Sequence, residues 1–507
     1  MKKTILFLLC AGLPGACGYL DEDPRDQKPR DEVIASEATL YLNTLGNLYG
    51  MIGSDQAGEG LAGTYSGVYD LNTFTTDEAI MPVRGGDWYD GGLWERLYLH
   101  GWEKEEAPLK NAWSYLYKVI VLSNQAIRDL SSHSDWQQEA RAVRALFYYY
   151  LLDMFGRVPI VTSPDVAMAD IEQSSRAEVF RFVTTELENV LPFLSIERSN
   201  RPGPWYGRIT LPVAVFLLTK LYLNAEVYTG TAAWDKVIDY CDYLADMGYE
   251  LEPDYASNFA VYNEASKENI FTIPMDKHLY RAQNQYLFRS RHYDHAAAIG
   301  FTGENGASAT LEVLDAGGFG EQSPDYRFDV NYWSGVPYDL EGRPIDLEYK
   351  PRSVALDVTG TPDEKVAGAR MRKYEIDPSA MKDGKLMDND WVIFRYADVL
   401  LMKAEALMRS GQSEDALPLV NTVRSRAGAE PLPELTPAIL LEERMREFAW
   451  EGLRRQDQIR FGTYALPWSF RPSLPREQET RYTNLFPIPA DILAVNPKLT
   501  QNDGYPD

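Results

Sequence analysis

The fold is decided by FRYADVLLMKAEALMRSGQSEDALPLVNTVRSRAG, residues 394–428. In its first half, Leu400, Ala404 and other apolar residues recur at steps of three and four, which predicts an amphipathic helix. Gly411 ends this helix, and the pattern resumes at Ala416 in a second helix whose apolar residues face back towards the first. Two helices joined in this way are typical of a tetratricopeptide-like repeat.

A second copy of this pattern lies earlier in the chain. Its positions precede those of the first copy by a constant 179 residues, as Leu221 precedes Leu400. The matching residues are Leu221, Ala225, Tyr228, Val237, Tyr240, Cys241 and Leu244. Repeats of this kind stack to bury faces that one unit leaves bare, and a chance likeness between two amphipathic helix pairs is the alternative.

Composition and charge narrow the classes of function. The 507 residues are 45% hydrophobic and 12% aromatic, which is typical of a folded protein rather than a disordered one. The formal net charge is −25, and this acidity argues against a nucleic-acid partner, whose phosphates require Lys and Arg. Solubility is the simplest reason for such a charge.

The N-terminus carries the pattern of a secretory signal segment. Lys2 and Lys3 precede a short apolar run at 5–9, which is too short to span a bilayer. The pattern predicts a lipoprotein signal peptide at 1–16.

Small residues lead up to Cys17, as at a bacterial lipoprotein processing site. We expect acylation of Cys17 to anchor the chain to a membrane, with an acidic, Pro-containing tether at 17–35. Leu13 stands one position further from Cys17 than in the usual processing box, and Cys10 is the alternative acceptor. After processing at Cys17, Cys241 would be the only internal cysteine, which leaves no intramolecular disulfide.

Helical periodicity divides the rest of the chain into three regions. An N-terminal helical repeat region is predicted at 36–249, and it contains a loop region at 53–101 that is rich in Gly, Asp, Tyr and Trp. The helical period fades over 250–390, an irregular insert with strand-like pieces such as 269–273. Helix is predicted to resume at the start of 391–507, a C-terminal repeat followed by a Pro-rich tail that packs back as a cap.

Eight pieces of the chain, in this order, resemble the SusD/RagB family of Bacteroidetes outer-membrane nutrient-binding lipoproteins. They are EARAVRALFYYYLLDMFGRVPIV (139–161), RAEVFRFVTTELENVLPFL (176–194), GRITLPVAVFLLTKLYLNAEVY (207–228), ENIFTIP (268–274), FRYADVLLMKAEAL (394–407), ALPLVNTVRSRAG (416–428), REFAWEGLRRQDQIRFG (446–462) and LFPIPADILAVNPKLTQNDGY (485–505).

The resemblance implies a mainly α fold, in which four tetratricopeptide-like helix pairs form a scaffold for a loop-rich irregular region. It implies a lipid-anchored position on the surface of the outer membrane, docked on a SusC-like TonB-dependent transporter. It also implies a role without catalysis or cofactor, in which the protein captures an oligosaccharide and delivers it to that transporter.

The stretch TTDEAIMPVRGGDWYDGGLWERLYLHGW, residues 75–102, is the first candidate site. Sugar binding needs flat aromatic faces for the C–H side of a pyranose and planar polar groups for its hydroxyls. The candidate faces are Trp88, Tyr89 and Trp94, and the candidate hydrogen-bonding groups are Arg84, Asp77, Asp87 and Asp90. Neighbouring glycines permit a tight loop that displays an aromatic ring. The alternative is that these rings hold the loop against the helices.

A second candidate lies in the insert, where Tyr332 and Trp333 stand in a loop flanked by Gly and Pro. A basic cluster precedes them and includes His292 and His295, whose spacing suits a metal ion. Because no third ligand is evident, we expect no metal there.

Catalytic signatures are sparse, with no Gly-rich phosphate loop and no H-E-x-x-H motif. The abundant carboxylates leave a helical glycoside hydrolase as one alternative, and a protein-interaction scaffold or peptide-binding lipoprotein as another. Glu443 and Glu447 alternate with Arg444 and Arg446, which predicts a salt-bridged helix face rather than a catalytic pair.

Overall fold

The computed structural model describes residues 37–506, with gaps at 55, 57, 168–169, 279–285, 317–322 and 381–383. The signal peptide, the acylated Cys17 and the tether predicted for 1–35 lie outside the described residues. The chain divides into two compact units, Met1–Asn43 and Thr44–Asp507. In the first unit the structure describes a short helix, Glu37–Tyr41, and the start of a π-helix, Leu42–Gly46.

Long helices form the frame of the second unit, as the mainly α class predicted. They are α1 Ala107–Asp129, α2 Ser134–Met154, α3 Arg176–Val190, α4 Leu211–Leu223, α5 Trp234–Asp246, α6 Tyr396–Arg409, α7 Ser413–Arg426 and α8 Pro437–Glu447. Neighbours in this series pack together: α1 on α2, α2 on α3, α4 on α5, α5 on α6, and α6 on α7. The grouping into four tetratricopeptide-like pairs stays a prediction.

Shorter elements connect these helices. The short α-helices are Asn47–Ile52, Val68–Thr73, Leu93–Tyr98, Ala225–Thr229, Tyr286–Ser290, Tyr293–Ala298, Leu311–Ala316, Arg327–Asn331, Arg454–Arg460, Pro475–Thr480 and Ala490–Val495. The 3₁₀ turns are Asp90–Gly92, Leu191–Phe193, Tyr255–Phe259, Pro351–Ser353 and Tyr482–Asn484. The strands are β1 Ala79–Ile80, β2 Asn269–Ile273, β3 Ser308–Ala309, β4 Tyr332–Trp333, β5 Arg370–Met371 and β6 Trp391–Arg395.

The two copies of the apolar pattern bury nearly the same positions. In the later copy Ala404 and Ala416 are fully buried where α6 meets α7, because a methyl group lets two helices approach closely. Six of the seven matched pairs have the same degree of burial, and the exception is half-buried Leu400 opposite buried Leu221. This agreement supports a repeat over a chance likeness.

Local sequence signals set several helix ends. Ser175 and Glu178 form a capping box at the start of α3, and Thr436 caps α8, whose first residue is Pro437. Helix α4 ends at Leu223, and the chain departs from helical geometry at Asn224 before the short helix Ala225–Thr229.

Two antiparallel strand pairs, β1–β3 and β2–β6, join the insert to the rest of the chain, and the antiparallel pair β4–β5 lies within the insert. The strand predicted at 269–273 is confirmed as β2. The prediction that helix resumes at Trp391 was wrong, since β6 occupies the first five residues and α6 begins at Tyr396. The run of aromatic and β-branched residues in β6 favours an extended backbone, and pairing with β2 completes its hydrogen bonds.

Buried ion pairs join the insert to α8. Arg327 lies 2.8 Å from Glu443 and 2.7 Å from Glu447, while Arg395 and Arg426 also bind Glu447. Burial raises the pKa of Glu447, but Arg426, Arg395 and Arg327 together hold it well below its ordinary value. The salt-bridged face predicted for α8 is therefore confirmed, although it lies inside the protein.

The C-terminal tail packs back as expected. The backbone N–H of Phe486 donates to Met154 at the end of α2, and Asn502 donates to the carbonyl groups of Phe155 and Phe486. Within the described residues, every helix is too short or too polar to cross a membrane.

Candidate functional site

The loop at 84–92 displays Trp88 on a tight turn. The backbone groups of Arg84 and Asp87 bond each other in both directions, at 3.0 and 3.2 Å. Gly85 and Gly86 take positive φ angles of 64° and 98°, and Trp88 itself has a φ of 64°. A left-handed backbone at a bulky residue is strained, and such strain often marks a functional site.

Trp88 is half-buried and lines an open cleft. Its indole nitrogen donates to the carbonyl oxygen of Glu304 at 2.9 Å, and its ring lies 6.1 Å from that of Trp94. Gly306 makes this position possible, because a Cβ there would lie 2.5 Å from the indole ring. Glu304 and Gly306 of the insert therefore hold the Trp88 ring in position.

The cleft in front of Trp88, called the Trp88 cleft below, has a volume of about 520 Å³. Its described lining residues are Tyr65, Asp87, Trp88, Asp90, Tyr293, Glu304 and Lys385. Tyr89 adjoins Trp88 in the chain and is 56% exposed. Aromatic rings and planar carboxylates in one open cleft match what a pyranose needs.

Hydrogen bonds fix the rings and acids of this cleft. Tyr293 donates to Asp87 at 3.0 Å, and Trp94 donates to Asp90 at 2.7 Å. Burial and the bond to Asp87 raise the pKa of Tyr293 to about 12, so its hydroxyl remains a donor at neutral pH. Burial likewise raises the pKa of Glu304 above its ordinary value.

Arg84 does not face the cleft, which corrects the expectation that it offers hydrogen bonds to a ligand. Its side chain is 1% exposed and donates to Ser308 at 2.9 Å and to the carbonyl groups of Glu364 and Ala367 at 2.9 and 2.8 Å. The expected sugar contact is instead an anchor that fastens the loop to the insert.

Asp77 and Trp94 are also internal. Asp77 makes a two-point ion pair with Arg454, at 2.6 and 2.8 Å, so both carboxylate oxygens are occupied. Trp94 is 2% exposed and packs edge-on against Phe74 at 5.3 Å. These two residues fit the alternative reading, in which the side chains hold the loop against the helices.

Tyr332 and Trp333 do not form an open aromatic surface either, because β4 pairs with β5 and buries both rings. Trp333 is 9% exposed, and the guanidinium of Arg372 lies 4.3 Å above its ring. It borders a second cleft, the Trp333 cleft, with a volume of about 530 Å³.

His292 and His295 are buried in the same interior. His295 lies 4.8 Å from the ring of Trp333 and 3.0 Å from the hydroxyl of Tyr349. Burial and Arg291 lower the pKa of His295 to about 3, which keeps the ring neutral. Among the residues that the structure describes, no group of three His, Cys, Asp or Glu side chains is arranged to hold a metal ion.

Sequence reasoning missed Tyr65, Glu304 and Lys385 as cleft residues. Tyr65 and Glu304 each stand between glycines, in GTYSG and GENG, which is the same local signal that singled out Trp88. Their meeting with Trp88 depends on how the insert folds over the loop, and periodicity carries no information on that.

Comparison with known proteins places the chain among relatives of the same architecture. A profile described as the SusD family matches residues 357–505, and one described as starch-binding associating with outer membrane matches residues 19–223. The starch-binding protein SusD of Bacteroides thetaiotaomicron is 24% identical over 99% of this chain and 98% of its own length.

Solved structures give the same answer for the fold. Surface glycan-binding protein A from Bacteroides uniformis superposes with a TM-score of 0.72 at 21% identity, over 90% of this chain and 98% of that protein. The corresponding protein from Bacteroides thetaiotaomicron, in complex with laminarihexaose, gives 0.70 at 19% identity over 92% and 99%. The two profile matches together cover more than half of the sequence, and the chain belongs to the SusD/RagB family.

Proposed function

We propose that the protein is a glycan-binding protein that captures an oligosaccharide in the Trp88 cleft. The observation that carries this proposal is the meeting of Trp88, Tyr65 and Tyr293 in one open cleft bordered by carboxylates. The relatives named for starch binding and for a laminarihexaose complex support the same class of ligand. Of the predicted contacts, Trp88, Asp87 and Asp90 line the cleft, and Tyr89 is exposed next to it in the chain.

The proposal extends to location and partner. Acylation at Cys17 would hold the protein on the outer-membrane surface, and the description of one matching profile names association with that membrane. A SusC-like TonB-dependent transporter would receive the captured oligosaccharide. In this role the protein binds and releases its ligand unchanged.

Binding is tested by affinity electrophoresis and calorimetry against a panel of polysaccharides and oligosaccharides. Trp88→Ala and Tyr293→Ala should each weaken binding, and Tyr262→Ala is the matched control, because Tyr262 is exposed outside the cleft. Melting curves confirm that each variant is folded. If both cleft variants bind as the unchanged protein does, the Trp88 cleft is not the site.

A hydrolase remains the second candidate, since three carboxylates line the Trp88 cleft and a glycosidase needs two. Two of the three already hold aromatic rings, because Asp87 accepts from Tyr293 and Asp90 from Trp94. That occupation favours binding. Incubation of the same panel with catalytic amounts of protein decides the matter, and product formed over many turnovers would establish the hydrolase instead.

A protein-interaction or peptide-binding role is the third candidate. It would use the same exposed rings without carbohydrate. A glycan panel that shows no binding, together with capture of peptides that is lost in Trp88→Ala, would favour that role.

A further inference from the structure

The Trp88 cleft carries an excess of negative charge. Its described lining includes the carboxylates of Asp87, Asp90 and Glu304 against the single ammonium of Lys385. An open cleft of one sign repels ligands of the same sign more strongly than a flat surface does. The charge of the cleft therefore bears on which glycans it accepts.

Asp87 and Asp90 have partners that fix their direction. Asp87 accepts from Tyr293, and the ammonium of Lys365 lies 3.7 Å from the same carboxylate oxygen. Asp90 accepts from the buried indole of Trp94. The hydrogen bonds from Tyr293 and Trp94 leave both carboxylates charged, because these donors are neutral. Lys365 is solvent-exposed, so water and salt weaken its attraction to Asp87.

Glu304 is half-buried, whereas Asp87 and Asp90 are exposed, so solvent screens the charge of Glu304 least of the three. Its backbone carbonyl accepts from the Trp88 indole, and Glu304 lines the same cleft as the proposed sugar-stacking ring. The nearby cations are already engaged: Arg289 pairs with Asp70 at 2.6 Å, and the ammonium of Lys385 lies 4.0 Å over the ring of Phe288. A half-buried carboxylate without a dedicated cation resists the approach of a second anion.

We propose that the Trp88 cleft selects neutral glycans against anionic ones, and that Glu304 is the residue that discriminates. This inference rests on the proposed glycan binding and names the substrate class of that site. Uronic acids and sulfated sugars bring a charge next to Glu304 and Asp87, whereas a neutral sugar presents hydroxyl donors that these carboxylates accept. Like charges brought together on binding weaken it.

The test uses a neutral polysaccharide and its own charged derivative. Soluble starch, laminarin, galactomannan and arabinogalactan are each screened beside a derivative that is oxidised at its C6 hydroxyl groups to the uronic acid. We expect the oxidised form to bind roughly tenfold or more weakly at low salt, and the difference to shrink as salt rises.

Two charge-neutralising variants sharpen the assignment. Glu304→Gln should narrow the ratio of the two affinities at least threefold, whereas Glu341→Gln, which removes an exposed carboxylate outside the cleft, should leave the ratio unchanged. Equal or tighter binding of the oxidised form would overturn the inference while glycan binding stands. An unchanged ratio in Glu304→Gln would overturn the role of Glu304. Absence of binding to every neutral and charged form would instead contradict the proposed function itself.

Discussion

The Trp88 and Trp333 clefts have nearly the same volume, about 520 and 530 Å³, and each contains a tryptophan that the sequence marks as a candidate. They differ in what the tryptophan presents. Trp88 stands on a strained glycine turn with its ring at the cleft, whereas Trp333 lies in a strand and is covered by Arg372. The two clefts are therefore distinguished by access to the aromatic ring and not by volume, and the proposed sugar binding depends on that access.

The largest expected difference between the two tryptophans is in stability. Trp333→Ala removes a buried ring and should lower the free energy of unfolding by about 3–5 kcal/mol, without changing the glycan affinity of the folded protein. Urea unfolding measures the first quantity and calorimetry the second. A large loss of affinity at unchanged stability would move the binding site to the Trp333 cleft.

The stability contributed by the Trp333 region should also depend more strongly on acid pH than that contributed by the Trp88 region. The folded-state pKa of His295 is about 3, below its ordinary value near 6.5, so the unfolded chain takes up the proton first as pH falls. The stability that neutral His295 contributes is complete above about pH 6.5 and is lost towards pH 3, at up to ~1.4 kcal/mol per pH unit. His295→Gln should flatten the stability profile between pH 6.5 and 4.5, and an identical profile in the variant would contradict this assignment.

Trp88→Ala should act in the opposite sense to Trp333→Ala. Loss of a central aromatic contact should weaken glycan binding by about 2 kcal/mol, or roughly 30-fold, with a smaller effect on unfolding because the ring is half-buried. Calorimetry with the best ligand of the panel provides the measurement. Binding that persists within a factor of two would remove Trp88 from the site.

Gly306→Ala tests whether the insert positions the ring of Trp88 for binding. The added methyl group would lie 2.5 Å from the indole of Trp88, so the ring must shift away from its bond to Glu304. We expect a loss of glycan affinity of about 1 kcal/mol, since small displacements of a positioned contact group weaken binding. Gly101→Ala is the matched control, because Gly101 lies outside the cleft and the nearest atom to its added methyl group is at an ordinary contact distance of 3.9 Å. Equal losses of glycan affinity in the two variants would contradict the role of Gly306 in positioning Trp88.

The smallest effect is expected from Arg372→Ala in the second cleft. Arg372 is exposed and donates to the carbonyl oxygen of Asp329 at 2.7 Å, so its removal should change stability by no more than about 0.5 kcal/mol. The variant uncovers one face of Trp333. If this variant alone gains a second, weak glycan site, access to the ring is what distinguishes the two clefts. If binding stays at one site, the Trp333 ring lies too deep for a sugar to reach.

The sequence allowed good prediction of the elements that depend on local periodicity. The interior of α1, α2 and α5 and the strand β2 follow from apolar spacing and short-range signals. The strand at β6 was missed because its extended backbone depends on pairing with β2, more than a hundred residues away. Tertiary pairing decided that segment against its helical reading.

The structure leaves part of the predicted site accessible and buries the rest. Trp88, Tyr89, Asp87 and Asp90 are exposed or half-buried. In contrast, Arg84, Asp77 and Trp94 from the same stretch face inward. A loop sequence has no periodicity, so the sequence alone does not show which of its side chains point inward. That depends on how the insert packs on the loop. The partners that turn them inward, Ser308 and Arg454, come from distant parts of the chain.

The central claim is that a carbohydrate lies against Trp88. A crystal structure of the protein with the tightest oligosaccharide of the panel tests this claim most directly. We expect density for a sugar ring stacked on the indole of Trp88, with hydroxyl groups within hydrogen-bond distance of Asp87 or Glu304. Density for the sugar in the Trp333 cleft, with the Trp88 cleft holding solvent, would contradict the account.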